Sequence, residues 1–372
     1  MHILLFTINL VMGGVSTCLI RLIDALLRTG KYRFTIVVRD NAVDELFSRW
    51  LAAHGVRVIV LDGFSIEKPK GWWQRHKWKW QRHVAMSRHR KIIKKICNDV
   101  DFLLDYFDGF MWKYVEGIDL PNAFWFHSGT AEIERLIIPV KEKLFSVYSS
   151  MICLTDAFKN KIISMMPELS HRVKQVYNVI NIEKIKELSM SAQYPRDAKY
   201  FISIGRLSDD KDHITVIRAF KRFINQNPDG LLYIIGDGPL KGKIEKEVES
   251  LGLNANVKLL GMMDNPYGYL KGAIANVLSS PGEGLPTVLI EAMSLDVLNI
   301  ASDCPDGPRE LLMDGAAGIL FPIGDDEVLS EIMDKVWNER ADFSEMILRA
   351  RDSLSRFSES AIASEIDKII EG

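Results

Sequence analysis

The sequence predicts an α/β protein made of two doubly wound, Rossmann-like domains, and three observations support this. The chain has 372 residues, of which 47 % are hydrophobic, enough for two cores rather than one. Short apolar runs alternate with helical patterns, which is typical of parallel strands covered on both faces. The alternation stops at a polar stretch over 189–199 and then restarts. We therefore expect the chain to divide near 180–197.

The elements of the first half follow in order. An apolar run at 3–8 predicts a buried strand, Gly13-Gly14 breaks it, and 15–27 has a helical pattern. Further strands are predicted at 34–38, 56–61, 102–107, 123–126 and 151–154. We assign residues 1–180 to an N-terminal domain.

The second half repeats this order. Strands are predicted at 200–204, 231–235, 257–260, 275–279 and 298–301, and the tail over 343–372 is helical by pattern. We assign 181–355 to a C-terminal domain and 356–372 to a final helix. That helix packs on the second domain or crosses back to the first.

Composition limits the class of protein. The net charge is −2, so no global field attracts nucleic acid. The four cysteines are scattered, which suits a reducing compartment and fits neither a disulfide framework nor a zinc site. The sequence shows no signal peptide and no apolar run of about 18 residues that would span a membrane. We expect a cytoplasmic location.

Glu283 and Glu291 stand eight residues apart in the most informative segment, Ser280 to Met293. The turn between them, Gly-Leu-Pro-Thr, predicts a helix that begins near Pro286. The amides of Leu285, Thr287 and Val288 would then be available to a phosphate. Glu291 can bridge two ribose hydroxyls and Glu283 can accept hydrogen bonds from a sugar. The alternative is an ordinary loop and helix with solvated glutamates.

Arg206 and Lys211 follow the predicted strand at 200–204. Fixed cations stabilise the charge that develops on a departing diphosphate, so this pair is a candidate anion site. The alternative is a pair of solvated charges beside Asp209, Asp210 and Asp212. No D-x-D metal-binding pattern is evident.

Other candidates also follow strands, where open parallel sheets bind ligands. The Gly13-Gly14 pair lets the backbone approach a ligand closely, although a plain tight turn is the alternative. His127 comes directly after the strand that ends at Phe126, and a lone histidine is more often structural. Two sheets that faced each other would bring all these strand ends to one central cleft.

The segment 71–95 mixes four tryptophans with nine lysines and arginines and has no acid. On a helix, Trp72, Trp73 and Trp80 share one face, and Lys77 lies among them. This composition is typical of an interfacial helix on anionic lipid or of a site for a polyanionic acceptor. An ordinary solvated helix is the alternative, and nucleic acid is disfavoured because no nucleic-acid-binding motif accompanies it.

These motifs resemble the retaining glycosyltransferases of family 4, which have the GT-B fold and an E-x7-E motif. The resemblance covers about 200–325 and is carried by Gly205-Arg206-Leu207, Lys211-Asp212, Gly236-Asp-Gly-Pro239, Glu283 to Met293, and Gly318 to Pro322. One departure is Gly284-Leu285-Pro286, where the family has Gly-Phe-Gly. Pro286 has no N–H, so one backbone donor is missing.

The resemblance implies transfer of a sugar, with retention, from a nucleotide sugar (UDP favoured over GDP) to a glycan or lipid-linked acceptor. It implies no metal or other cofactor. The tryptophan-rich segment 71–95 further predicts that the enzyme docks on the inner face of the cytoplasmic membrane. The first domain would bind the acceptor and the second the nucleotide sugar. A GT-B nucleotide-sugar epimerase and a non-catalytic glycan-binding subunit are the alternatives.

The resemblance also implies the roles of individual residues. The catalytic set would be Glu283, Arg206, Lys211 and His127, with His127 near the transferred sugar. The acceptor or membrane would contact Trp72, Trp73, Lys77 and Trp80. The donor would contact Gly14, Gly205, Arg206, Lys211, Leu285, Pro286, Thr287, Val288 and Glu291.

Overall fold

A computed structural model describes the whole chain except residues 12, 41, 62–71, 128, 130–132, 192–193, 196–197, 339–342 and 372. It divides the chain into two compact units. Unit 1 comprises Met1–Val179 and Glu359–Gly372, and unit 2 comprises Ile180–Ser358. Residue 71 of the predicted tryptophan-rich segment lies outside the described residues, as does part of the polar connection.

Unit 1 contains a seven-stranded, wholly parallel sheet. Its strands are β1 (His2–Thr7), β2 (Arg33–Val38), β3 (Arg57–Val60), β4 (Phe102–Asp105), β5 (Asn122–Phe126), β6 (Ser150–Cys153) and β7 (Val173–Gln175). Its helices up to residue 179 are α1 (Gly14–Arg28), α2 (Glu45–Ala53), α3 (Trp72–Ile96), α4 (Trp112–Val115), α5 (Lys141–Val147) and α6 (Asp156–Met165).

Unit 2 contains a six-stranded parallel sheet. Its strands are β8 (Tyr200–Ile204), β9 (Leu231–Ile235), β10 (Val257–Gly261), β11 (Ala275–Leu278), β12 (Leu298–Ser302) and β13 (Ile319–Phe321). Its helices are α7 (Ile182–Ser191), α8 (His213–Ile224), α9 (Lys241–Ser250), α10 (Tyr267–Gly272), α11 (Thr287–Ser294), α12 (Gly307–Leu311), α13 (Asp326–Asn338) and α14 (Ser344–Asp352).

The strand order confirms the predicted doubly wound fold. It is β3-β2-β1-β4-β5-β6-β7 in unit 1 and β10-β9-β8-β11-β12-β13 in unit 2. In both sheets the order reverses next to the first strand, between β1 and β4 and between β8 and β11. The central strands β1, β8 and β11 are almost entirely buried because helices cover both faces, as the continuous apolar runs predict. The sequence did not predict β7 and β13, which have three residues each.

The last helix, α15 (Glu359–Glu371), belongs to unit 1 and packs on α1. Its Asp367 accepts hydrogen bonds from the Tyr32 hydroxyl and the Lys31 ammonium, the latter at 2.5 Å. Glu359 pairs with Arg28 at 3.2 Å. The chain therefore returns to its first unit after completing the second.

Candidate functional site

The strand order places one candidate site in unit 2 at the point where the order reverses. β8 and β11 are hydrogen-bonded neighbours but are not consecutive in the chain, so the connections from them run to opposite faces of the sheet. In open α/β sheets, a crevice forms outside the carboxyl ends of such strands and binds ligands. Here these ends lead into Gly205-Arg206 and Ser279-Ser280.

Lys211 and Glu283 form the centre of this site. The Lys211 ammonium donates to Glu283 Oε1 at 2.5 Å, and the Ser280 hydroxyl donates to the same oxygen at 2.6 Å. The Glu283 side chain is only 9 % exposed and that of Lys211 is 24 % exposed. A charge pair this shielded from water is strong and fixed in position. The structure thus joins two residues that lie 72 positions apart.

The backbone at Lys211 is held by Ser279, the residue that directly follows β11. The Ser279 hydroxyl, which is buried, lies 3.0 Å from the Lys211 carbonyl and 2.8 Å from the Asp212 carbonyl. Asp212 has a positive φ of 45° and caps α8 by accepting from Thr215. An aspartate tolerates this conformation better than most residues because its short side chain bonds locally. The loop that carries Lys211 is therefore fixed at both ends.

Arg206 is arranged differently from Lys211. Its guanidinium donates to the Asp210 carboxylate at 3.1 and 3.2 Å and to the Ser208 hydroxyl at 3.1 Å. The Arg206 side chain is 66 % exposed. This ion pair is a surface pair between residues four apart, so its contribution to stability is small. Arg206 can consequently exchange Asp210 for another anion at little cost.

Helix α11 begins at Thr287, with Pro286 as the residue that caps it, one position later than predicted. Leu285 and Pro286 are buried, while Thr287, Val288 and Glu291 are partly exposed. Glu291 is the fifth residue of the helix and so lies in its second turn. A buried amide anchors the helix to the sheet, because Asn299 Nδ2 donates to the Leu289 carbonyl at 2.9 Å.

Glycines allow two backbone segments, 205–207 and 236–238, to meet beside β8. A Cβ on Gly236 would lie 1.9 Å from the Gly205 carbonyl oxygen, and a Cβ on Gly238 would lie 2.5 Å from that of Leu207. Gly236 has a φ of 148°, which only glycine adopts readily. Leu207 N–H donates to the Asp237 carbonyl at 3.0 Å. The Gly236-Asp-Gly-Pro239 motif therefore supports the strand end that carries Gly205 and Arg206.

Unit 1 places His127 among aromatic rings at the end of β5. Its ring lies 4.4 Å from that of Tyr106 and 5.8 Å from that of Trp125, centroid to centroid. Its backbone N–H donates to the Asp108 carboxylate at 2.7 Å. Burial of the ring lowers the pKa of His127 to about 3, so the imidazole is neutral near pH 7. A neutral imidazole can donate or accept a hydrogen bond but carries no charge to offer.

The loop between β4 and α4 is held by a buried carboxyl group. Asp105, at the end of β4, is fully buried and accepts from the Tyr148 hydroxyl at 2.5 Å and from the Met111 N–H at 2.8 Å. Burial raises the pKa of Asp105 to about 7, although these hydrogen bonds oppose the rise. Asp105 thereby fixes the loop that carries Asp108. The sequence analysis did not select it.

The remaining predicted residues of unit 1 are exposed. Gly14 begins α1, and a Cβ there would meet nothing within 4 Å. In α3, Trp72, Trp73 and Trp80 are 63 %, 79 % and 67 % exposed, and Lys77 is exposed too. Trp72 packs edge-on against Trp73, with 4.6 Å between ring centroids. The Trp72 ring also lies 4.5 Å from that of His76, centroid to centroid.

The structure therefore brings Lys211 and Glu283 together, and it places Gly205, Arg206 and α11 on elements that border the same sheet edge. Sequence reasoning assigned no supporting role to Ser279, Ser280 or Asp212, although all three lie in or beside the predicted motifs. It did not select the buried His213, whose Nδ1 lies 3.2 Å from the Ser203 hydroxyl. Among the described residues, no three His, Cys, Asp or Glu side chains form a group that could hold a metal ion.

Comparison with solved structures identifies the fold. The chain has the GT-B fold of glycosyltransferases. It aligns over its full length with HepE of Anabaena crystallised with UDP and glucose, with a TM-score of 0.79, 18 % identity and 99 % of that chain covered. It also aligns over its full length with the lipopolysaccharide outer core galactosyltransferase WaaB, with a TM-score of 0.73, 17 % identity and 99 % of that chain covered.

The sequence places part of the chain in a family. Residues 185–353 match the model for glycosyl transferases group 1, so the chain carries a domain of that family. A glycosyltransferase of Methanocaldococcus jannaschii is 37 % identical over 227 residues, which are 59 % of this chain and 52 % of that protein. The chain therefore matches about half the length of this relative.

A second relative has a more specific name. An N-acetylgalactosaminyltransferase of Campylobacter jejuni, named for a diphospho-undecaprenol substrate, is 33 % identical over 148 residues, 40 % of each chain.

Among the described residues, none of the helices is both long enough and apolar enough to cross a bilayer.

Proposed function

We propose that this protein is a retaining glycosyltransferase that moves a sugar from a nucleotide sugar to a membrane-associated glycan acceptor. The observation that carries the proposal is the Lys211–Glu283 pair at the reversal point of the second sheet, directly before α11. This position is where a doubly wound sheet binds a ligand, and a lysine beside a helix start suits a phosphate. The match to group 1 glycosyl transferases over 185–353 supports the same assignment.

The cations would act on the leaving group. As the glycosidic bond breaks, negative charge grows on the terminal phosphate of the nucleotide diphosphate. Lys211 and Arg206 are each paired with a carboxylate, and a diphosphate would compete with Glu283 and Asp210 for them. Once they contact the diphosphate, these cations would stabilise the charge that develops on it. We assign both residues to the diphosphate.

The two glutamates would divide the rest of the donor. Glu283 is held by Lys211 and Ser280, and its position suits the sugar. Glu291 lies one turn further along α11 and suits the ribose hydroxyls. The amides of Leu285, Thr287 and Val288 would add donors at the start of the helix. Pro286 lacks an N–H, so it cannot donate a hydrogen bond to the nucleotide sugar.

The reaction would proceed with retention and without a metal. In the mechanism implied by the family resemblance, the acceptor hydroxyl attacks the face from which the diphosphate departs. The departing phosphate takes the proton of that hydroxyl, so no separate base is needed. Lys211, Arg206 and the amides of α11 supply the positive charge that a metal ion gives in other transferases.

The acceptor is proposed to be a lipopolysaccharide, a capsule glycan or a lipid-linked oligosaccharide. Relatives are named for lipopolysaccharide core biosynthesis and for transfer to diphospho-undecaprenol glycans. The exposed tryptophans of α3 would hold the enzyme at the cytoplasmic face of the membrane, because indole rings prefer the headgroup region. His127 would lie near the transferred sugar.

A panel of nucleotide sugars tests the proposal. UDP-sugars come first, since structures of similar fold contain UDP. A donor at 100 times its Kd should add about 2.7 kcal/mol to the free energy of unfolding. The hit is then incubated with and without lipid-linked acceptors, and NMR reports the anomeric configuration of the product.

Retention of configuration in an acceptor-dependent product supports a retaining transferase. Free sugar released equally without acceptor would indicate an epimerase-type reaction. Stabilisation by a glycan but by none of the nucleotide sugars would indicate a binding subunit. Loss of activity in EDTA and recovery with Mn²⁺ would contradict metal independence.

A further inference from the structure

Five cations surround two neighbouring cavities of unit 1, far along the chain from the residues assigned to the donor. Three come from the C-terminal half of α3, one from α4 and one from α5, and only Glu116 opposes them among the lining residues. The chain as a whole has a net charge of −2, so this is a strong local concentration of positive charge. The cations are Arg90, Lys91, Lys94, Lys113 and Lys143.

The two cavities adjoin each other. One has a volume of about 440 Å³ and the other about 350 Å³, and both are lined by Met86, Arg90 and Glu116. These volumes fall within the range of small-molecule sites. We call the pair of cavities the cationic recess. It offers room for a ligand with two parts, one on each side of Arg90.

The recess is built on a rigid base. In the half of α3 that lines it, Ile93 is fully buried in the core of unit 1, and Tyr114 of α4 is part of the same core. Arg90 donates to the Glu116 carbonyl at 2.8 Å and lies 3.7 Å from the Glu116 carboxylate. The first half of α3 differs, because its residues from Trp72 to Val84 are nearly all exposed.

The lining is also partly apolar. Met86 lines both cavities, Ile118 and Tyr114 line the larger one, and Trp112 lines the smaller. The ammonium groups of Lys113 and Lys143 lie 5.2 and 5.9 Å from the centre of the Trp112 ring. A free inorganic anion would use the cations alone. An anion joined to an apolar chain would use both kinds of surface.

We propose that the cationic recess binds a diphosphate attached to an apolar chain, as in a polyprenyl-linked acceptor. The inference rests on the proposed function for the need of such a substrate, and it deepens that function by giving the acceptor a site. Charge complementarity selects the diphosphate, because two phosphates can contact cations on both sides of Arg90. The side chains of Met86, Trp112 and Ile118 would bury part of the ligand's apolar chain.

Calorimetric titration of the full chain tests the proposal with three probes. Farnesyl diphosphate carries both features, inorganic diphosphate carries only the charge, and farnesol carries only the chain. We expect farnesyl diphosphate to bind at least tenfold more tightly than either of the others. Its affinity should fall with added salt, since the charges of the recess are partly exposed.

A matched pair of variants locates the site. Lys91→Gln/Lys94→Gln removes two charges from the recess, and Lys79→Gln/Lys95→Gln removes two exposed charges of the same helix that do not line it. All four side chains are exposed, so both variants should fold. The first pair should weaken farnesyl diphosphate at least tenfold, and the second less than twofold.

Four results would overturn the proposal: equal binding of inorganic diphosphate, equal binding of farnesol, equal weakening by both variant pairs, or preferential binding of a single-stranded oligonucleotide. A UDP titration of the same samples separates this failure from failure of the proposed function. Normal UDP binding with no farnesyl diphosphate binding would reject the recess alone. The reverse result would reject the donor site alone.

Discussion

The two sheets of this protein share the same order over six strands, and unit 1 adds a seventh, but they carry opposite chemistry where that order reverses. In unit 2 the strand ends present an ionised pair, Lys211 and Glu283, that is partly accessible to solvent. In unit 1 the corresponding region holds groups whose charge is suppressed: burial raises the pKa of Asp105 to about 7 and lowers the pKa of His127 to about 3. Topology therefore gives the place for a ligand, and the side chains decide which ligand.

The difference has a physical cause in the polar support of each group. The Glu283 carboxylate accepts hydrogen bonds from the Lys211 ammonium, which is cationic, and from the Ser280 hydroxyl. Asp105 is held by a tyrosine hydroxyl and backbone N–H groups, none of which carries charge. Among the described residues at the reversal points of the two sheets, only unit 2 thus places a cation, Lys211, that can oppose the charge of a diphosphate. Unit 1 instead concentrates its cations at the cationic recess.

The largest expected effect comes from removing charged residues at the reversal point of unit 2. Arg206→Ala and Glu283→Ala should each lower turnover of the nucleotide sugar by about 10²-fold, the scale of one preorganised transition-state contact. Arg218→Ala is the control, since it removes an exposed arginine of unit 2 that pairs with Glu247. Initial rates at saturating donor make the measurement. Wild-type turnover in both test variants would remove these residues from the reaction.

The next effect concerns the backbone under the same strand end. Gly236→Ala would place a Cβ 1.9 Å from the Gly205 carbonyl oxygen, so it should lower the free energy of unfolding by about 3 kcal/mol. Gly242→Ala is the matched control on α9, where a Cβ meets nothing within 4 Å, and it should raise stability by about 0.5 kcal/mol. Urea denaturation measures both. Equal stabilities would show that the close approach is not needed.

The third effect concerns Asp105, the buried carboxyl group of unit 1. Between pH 3.8, where a carboxyl group in the unfolded chain titrates, and about 7, folded Asp105 keeps a proton that the unfolded chain releases. The free energy of unfolding should therefore fall as the pH rises through this window, by at most about 1.4 kcal/mol per pH unit. Asp105→Asn has no such proton and should flatten the dependence. Urea denaturation at pH 5 and 7.5 compares the two.

A second variant keeps this prediction testable if Asp105→Asn does not fold. The Tyr148 hydroxyl lowers the pKa of Asp105, so Tyr148→Phe should move the end of the window to higher pH. An identical pH dependence in wild type, Asp105→Asn and Tyr148→Phe would contradict the assignment of the titration to Asp105.

Much of the fold was predictable because its signals are local. Continuous apolar runs gave every strand of four or more residues, and the Gly-Leu-Pro-Thr turn gave the start of α11 to within one residue. The strands β7 and β13 were not predicted, since three residues are too few for a pattern. The sequence also left open where the last helix packs. Its contacts with α1 connect residues more than 330 positions apart.

The candidate site was predictable in its residues but not in their pairing. Lys211 and Glu283 were selected separately as ligand contacts, and nothing local indicates that they bond to each other across 72 residues. The Ser279 hydroxyl contacts the carbonyl of Lys211, which lies 68 positions earlier, and only the folded sheet brings the two residues together. Asp105 looks like any acid at a strand end, and only its burial makes it unusual.

The central claim is that the reversal point of the second sheet binds a nucleotide diphosphate through Lys211. Calorimetric titration with UDP of the wild type, Lys211→Gln, Arg218→Gln and His127→Ala tests it most directly. We predict that UDP binds the wild type, that Lys211→Gln weakens it at least tenfold, and that Arg218→Gln and His127→Ala change its Kd less than twofold. Unchanged UDP affinity in Lys211→Gln, or a larger loss in His127→Ala, would contradict the account.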